Sequence, residues 1–122
     1  MFDKILVKEI LIQIKNSISK INDRTANIND ISFFTDTPIG MEKFDAVCML
    51  LLTIGESIKN VDKITKHSLL IKYPEIDWIG IKGFRDIVAH HYFDIDAEQV
   101  FWIIKNNLEP LKATIKKMID EL

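Results

Sequence analysis

Gly83-Phe84-Arg85-Asp86-Ile87-Val88-Ala89-His90-His91-Tyr92 is the run from which the rest of this chain can be read. Apolar residues at Trp78, Ile81, Phe84 and Val88 recur at steps of three and four, the spacing of one buried helical face. Two of the three histidines stand side by side here, and Arg85 is one of only two arginines, the other being Arg24. Arginine can hold a phosphate through two parallel charge-assisted hydrogen bonds, and histidine moves a proton most easily near neutral pH. Together they are the minimum equipment for metal-free phosphodiester chemistry. The same residues near a helix end also serve as a cap and as surface charge complementing the helix dipole. Residue types alone leave both readings open.

Working outward, Asp77 is placed to cap the helix that carries this run, and Pro74 closes a short amphipathic turn over His67 to Tyr73. Upstream, Thr37-Pro38 reads as a helix start, hydroxyl at the N-cap and proline at the first helical position. That helix is expected from Pro38 to about Lys66, with Phe44, Val47, Cys48, Leu51, Ile54 and Ile58 inward. Gly55 sits inside it at a cost of ~1 kcal/mol relative to alanine. The expected reason is close approach of another helix, or space cleared beside Glu56. Lys59, Lys63 and Lys66 follow at helical spacing, a solvated face and also the best basic patch outside the histidine run.

The chain opens with a helix expected over Phe2 to Asn22, whose stripe is Val7, Ile10, Leu11, Ile14, Ile18 and Ile21. The polar stretch to Gly40 contains Ile28, Ile31, Phe33 and Phe34, which predict a short helical turn docked on the core. After the histidine run, Asp96 with Gln99 reads as a capping box. The last helix uses Val100, Ile103, Ile104, Leu108, Leu111, Ile115 and Ile119, and Pro110 predicts a kink or break near Asn107. No alternating strand pattern or internal repeat competes. The expected architecture is all-α, an up-and-down bundle of four main helices with one or two short ones, in a single domain over 1–122.

Composition narrows the function classes. Acidic residues number 18 against 16 basic ones, so RNA contact must use a local patch rather than the net field. The single cysteine, Cys48, cannot form a disulfide within the chain, which fits a reducing cytoplasm and a small buried hydrophobe. No secretory signal is legible, and the apolar run Val47 to Leu52 is far short of the ~20 residues that cross a bilayer. A soluble, cytoplasmic protein without membrane contact is expected. There is no spaced histidine pair, cysteine pair or glycine-rich phosphate loop, so neither a metal nor a cofactor is expected.

Arg85, four residues, His90, one residue, Tyr92 resembles the R-x4-H-x-Y signature of HEPN domains, and among them the HepT-like toxins. The neighbours agree: Ile54-Gly55-Glu56 and Ile76-Asp77-Trp78 upstream, Phe93-Asp94-Ile95-Asp96 and Val100-Phe101-Trp102 downstream. The likeness runs from about Phe44 to about Leu111, over half the chain. It implies a metal-independent endoribonuclease, the toxin of a toxin–antitoxin pair. Arg85 would hold the scissile phosphate and His90 would move the proton. Glu56 and His91 are possible supporting residues; His91 could replace His90, but only His90 preserves the spacing to tyrosine. Tyr92 matches the position to which a minimal nucleotidyltransferase antitoxin transfers AMP in such systems; the plainer alternative is that it packs and hydrogen-bonds at a helix end. The alternative is a non-catalytic HEPN module that binds nucleotides or a partner, or simply dimerises.

One geometric difficulty comes with the motif. Five residues along a regular helix turn His90 about 140° away from Arg85. Either the helix ends or turns near Ala89–His91, or the site is composite. The resemblance implies a homodimer whose cleft joins the motifs of two protomers.

Overall fold

The computed structural model describes residues 2–90 and 95–122. Motif positions His91 and Tyr92 lie outside that range, as do the side chains of Ala89 and His90. The described chain is helical, with no strand: α1 (Lys4–Thr25), α2 (Ser32–Asp36), α3 (Pro38–Ile64), a 3-10 turn (Leu70–Lys72), α4 (Trp78–Lys82), α5 (Phe84–His90), α6 (Ala97–Asn106) and α7 (Leu108–Glu121). The expected all-α bundle is therefore present, with α1, α3, α4–α5 and α6–α7 as its four rods and α2 as the short extra helix.

Each rod forms for a local reason. Asp3 caps α1 by accepting from the Leu6 amide at 3.0 Å, and the predicted stripe from Val7 to Ile21 is buried. The helix continues to Thr25, beyond the expected end at Asn22, because the Thr25 hydroxyl bonds back to the Ile21 carbonyl at 2.7 Å and the side chain is buried. Thr37 caps α3 through the Gly40 amide at 2.9 Å, with Pro38 at the first position. A Cβ on Gly40 would collide with the Phe33 carbonyl, so α2 can seat Phe34, 2% exposed, only over a glycine. Phe34 lies edge-on to Phe101, 6.1 Å between centroids, which ties α2 to α6.

α3 is the central rod and packs against α1, α2, α4 and α5; α7 closes the bundle against α1. Its stripe of Val47, Cys48, Leu51, Ile54 and Ile58 is buried as read from the sequence, while Phe44 is only half-buried. Burial, and then the neighbouring Asp45 charge, push the Cys48 thiol up to about 12, so it is an inert core residue. Asp96 caps α6 through the Glu98 and Gln99 amides, and the rod breaks at Asn107, three residues before Pro110. No helix among the described residues is long and apolar enough to cross a membrane.

One expectation needs correction. Asp77 does cap a helix, accepting from the Gly80 amide at 3.0 Å, but that helix is α4 and stops at Lys82. The motif rides on a separate helix, α5, which begins after Gly83. Both pieces are held from below by α3, and the break between them lies over Gly55.

Candidate active site

The junction of α4 and α5 approaches α3 so closely that a side chain at position 55 would press on it. A Cβ at Gly55 would stand 3.0 Å from the Ile81 carbonyl oxygen, 3.2 Å from the Arg85 amide nitrogen and 3.3 Å from Phe84 Cβ. The expected close approach of another helix is therefore the reason for this glycine, and the helices that approach are α4 and the motif helix α5. From that seat Arg85 extends along α3 and ion-pairs through Nε with Glu56 Oε1 at 2.9 Å. Both side chains are 46% exposed, so a ligand can reach the guanidinium. The Nε contact engages one of five guanidinium donors. A phosphate can still be taken by the others.

A second ion pair fastens the same assembly. Asp62 of α3 is 6% exposed and meets Lys82 Nζ of α4 at 2.5 Å and His67 Nδ1 at 2.8 Å. Burial works to raise its pKa, but the hydrogen bonds and charges of Lys82 and His67 outweigh it and hold the carboxyl below its ordinary value. His67 reaches Asp62 because α3 ends in a left-handed turn, with Lys66 at φ 53° and His67 at φ 64°. The histidine is 79% exposed, so Lys82 is the partner that matters for stability.

Asp62 was not among the residues expected at the site. The signal was present, since it follows Ile54 and Ile58 at steps of four on the buried stripe of α3. A carboxylate on that stripe requires a cationic partner. Asp62→Ala is expected to cost about 2 kcal/mol at pH 7, the scale of a hydrogen bond to a charged group. The folded pKa is lowered, so this contribution is complete above the unfolded value of about 3.9 and is lost as pH falls through the folded one. Urea unfolding at neutral pH and again well below that value checks it: the wild-type and variant midpoints should converge in acid.

Arg85 and Glu56 are thus brought together, and α5 remains helical through His90. A turn before His90 does not occur, so the backbone keeps positions 85 and 90 on different sides of α5. A separate groove of about 430 Å³ opens between α4–α5 and α6, walled by Ile81, Phe84, Ile87, Trp102 and Ile103 among others. Arg85 does not line it. Among the described residues no cluster of histidine, cysteine and carboxylate side chains could hold a metal ion.

The sequence matches the ribonuclease HepT-like family over residues 14–118. It is 33% identical over 118 residues to a Methanocaldococcus jannaschii protein whose name joins gamma-glutamylcyclotransferase to a candidate RNase. That match takes in 95% of this chain and 49% of the relative, so the chain spans about half the length of that protein. A candidate RNase of the same organism is 28% identical over 116 residues, 95% of this chain and 89% of its own. A Thermococcus cleftensis protein named probable ribonuclease HepT is 29% identical over 111 residues, 91% of this chain and 94% of its own. No solved structure matches the chain.

Proposed function

The chain belongs to the HepT-like ribonuclease family, and on that premise we propose that it is a metal-independent endoribonuclease acting as the toxin of a toxin–antitoxin pair. The observation that carries the reading is the seating of Arg85. A rare arginine is set on a glycine-backed helix junction, oriented by Glu56, and left half-exposed. In this role Arg85 binds the scissile phosphate and stabilises charge on its oxygens as the transition state forms. Glu56 is a positioning residue that limits where the guanidinium can point. His90 moves a proton to or from the ribose 2′-hydroxyl or the leaving oxygen, and the need for that hydroxyl restricts cleavage to RNA.

Because positions 85 and 90 diverge around α5, the working site is proposed to be composite, with two protomers meeting at a two-fold axis. The outer face of α3 supports this. Met49, 61% exposed, and half-buried Leu52 precede Glu56 on the same stripe and offer an apolar surface to a second copy.

Tyr92 is the proposed point of control. Transfer of AMP to its hydroxyl by a minimal nucleotidyltransferase antitoxin would place a phosphate beside the motif arginine and repel RNA. The whole reading is tested with two preparations. Protein made alone should cut single-stranded RNA in excess EDTA. Protein co-expressed with its nucleotidyltransferase should gain mass in steps of AMP on the Tyr92 peptide and lose cleavage, and Tyr92→Phe should keep cleavage and stay unmodified. Cleavage that stops on chelation would replace the proposed mechanism with a metal-dependent one. No cleavage from an unmodified, folded dimer would leave a non-catalytic binding module.

A further inference from the structure

The solvent stripe of α3 changes character at Glu56. On its N-terminal side it is apolar, with Met49 and Leu52; on its C-terminal side it is cationic, with Lys59 and Lys63. A shallow groove of about 490 Å³ runs along it, walled by Thr53, Glu56, Ser57, Lys59, Asn60 and Lys63. The groove therefore runs from Leu52 and Thr53 past the ion-pair partner of Arg85 and on along the basic half of the helix to Lys63.

Like several other lysines among the described residues these two have no ion-pair partner, and unlike them they wall one groove beside Glu56. Lys82 is held by Asp62, and Lys43, Lys105 and Lys117 each lie over an aromatic ring. Among the described residues neither Lys59 nor Lys63 has a carboxylate at ion-pair distance. In a chain of net charge −2, this leaves a local positive strip next to Glu56. Ser57 and Asn60 add neutral donors to the same walls.

We propose that this groove is a track for the phosphate backbone of single-stranded RNA, with Lys59 and Lys63 neutralising phosphates next to the one held by Arg85. The track rests on the reading of Arg85 as the phosphate-binding residue. Lys63 lies two helical turns from Glu56, about 10 Å along the axis, which leaves room for at least one phosphate beyond the scissile one. The strand takes the part of the groove from Glu56 to Lys63 and the second protomer the apolar end at Met49 and Leu52, so the two meet at the N-terminal end of the groove. Contacts of this kind give affinity without sequence preference.

The test is the salt dependence of binding to a 2′-O-methyl RNA of about 12 nucleotides, which has no free 2′-hydroxyl and cannot be cut. Each phosphate neutralised on a single strand contributes about −0.7 to the slope of log K against log salt, so Lys59→Gln with Lys63→Gln should make the slope shallower by about 1.4. Lys63 is exposed and Lys59 half-buried, and an unchanged unfolding midpoint confirms that only the track was altered. An unchanged slope overturns the track even if the protein cleaves RNA well. A reduced slope in a protein that never cleaves RNA keeps the track and removes the catalytic reading. If the double variant binds this RNA normally but no longer binds a nucleotidyltransferase partner, the strip is a protein interface and the track is wrong.

Discussion

Arg85→Ala should lower RNA cleavage by about 10²- to 10³-fold, the loss typical of removing a preorganised donor to transition-state charge. The fold should survive. Arg85 is half-exposed, and an exposed pair such as Arg85–Glu56 contributes at most about 1 kcal/mol. Its backbone, which does pack on Gly55, is unchanged by the substitution. Glu56→Gln should give a smaller loss, because glutamine can still accept from Nε and hold the guanidinium in place while lacking the charge. His90→Ala should match Arg85→Ala within the ~10²- to 10⁴-fold range of general acid–base catalysis, and His91→Ala should be nearly silent. Single-turnover cleavage of a short RNA, with the thermal midpoint of each variant measured beside it, separates these cases. Arg85→Ala with near wild-type rates would remove the arginine from the mechanism, and a silent His90→Ala beside an inactive His91→Ala would shift the motif by one residue.

Gly55→Leu should be the most damaging single change to stability near the site, at about 3 kcal/mol, the upper part of the range for overpacking. The atoms in the way are backbone atoms of α4 and α5, which cannot rotate aside as a side-chain tip can. Gly55→Ala is the finer probe. Alanine gains about 1 kcal/mol of helix propensity, which offsets part of its crowding against the Ile81 carbonyl and the Arg85 amide. Its net effect on stability should therefore be small. Its effect on cleavage should not be, since relief of the contact lifts α5 and moves Arg85 relative to Glu56. Guanidinium unfolding and cleavage rates measured on both variants give the answer. A tolerated leucine would mean that the helices separate freely here and that Gly55 does not set the position of Arg85.

Much of the fold was legible from local pattern. A stripe recurring every three or four residues needs no tertiary information, because the helix period is a property of the backbone. Val7 to Ile21 and Val47 to Ile58 are buried as their spacing required. Caps are equally local: Thr37, Asp77 and Asp96, legible as caps in the sequence, and Asp3, which falls inside the expected span of the first helix, each satisfy amides two or three residues ahead. The break at Asn107 followed from Pro110, which cannot continue an i to i−4 ladder. The residue types of the motif were legible too, together with the suspicion that a straight helix could not close a site between Arg85 and His90.

What the sequence by itself determined is thus a set of amphipathic helices, most of their caps, and a motif whose residue types are compatible with phosphodiester chemistry. Which residues meet across the bundle was decided only by packing. Glu56 and Arg85, like Asp62 and Lys82, stand far apart along the chain, and no local period relates them. Their meeting depends on how closely α4 and α5 settle on α3, and that distance is set by the missing side chain of Gly55. The break at Gly83 falls where the Ile81 carbonyl and the Arg85 amide lie over Gly55, between the contact of Lys82 with Asp62 and that of Phe84 with Gly55. Local pattern specifies which face of a helix is buried, whereas the partner across that face is chosen by the volume left between the rods.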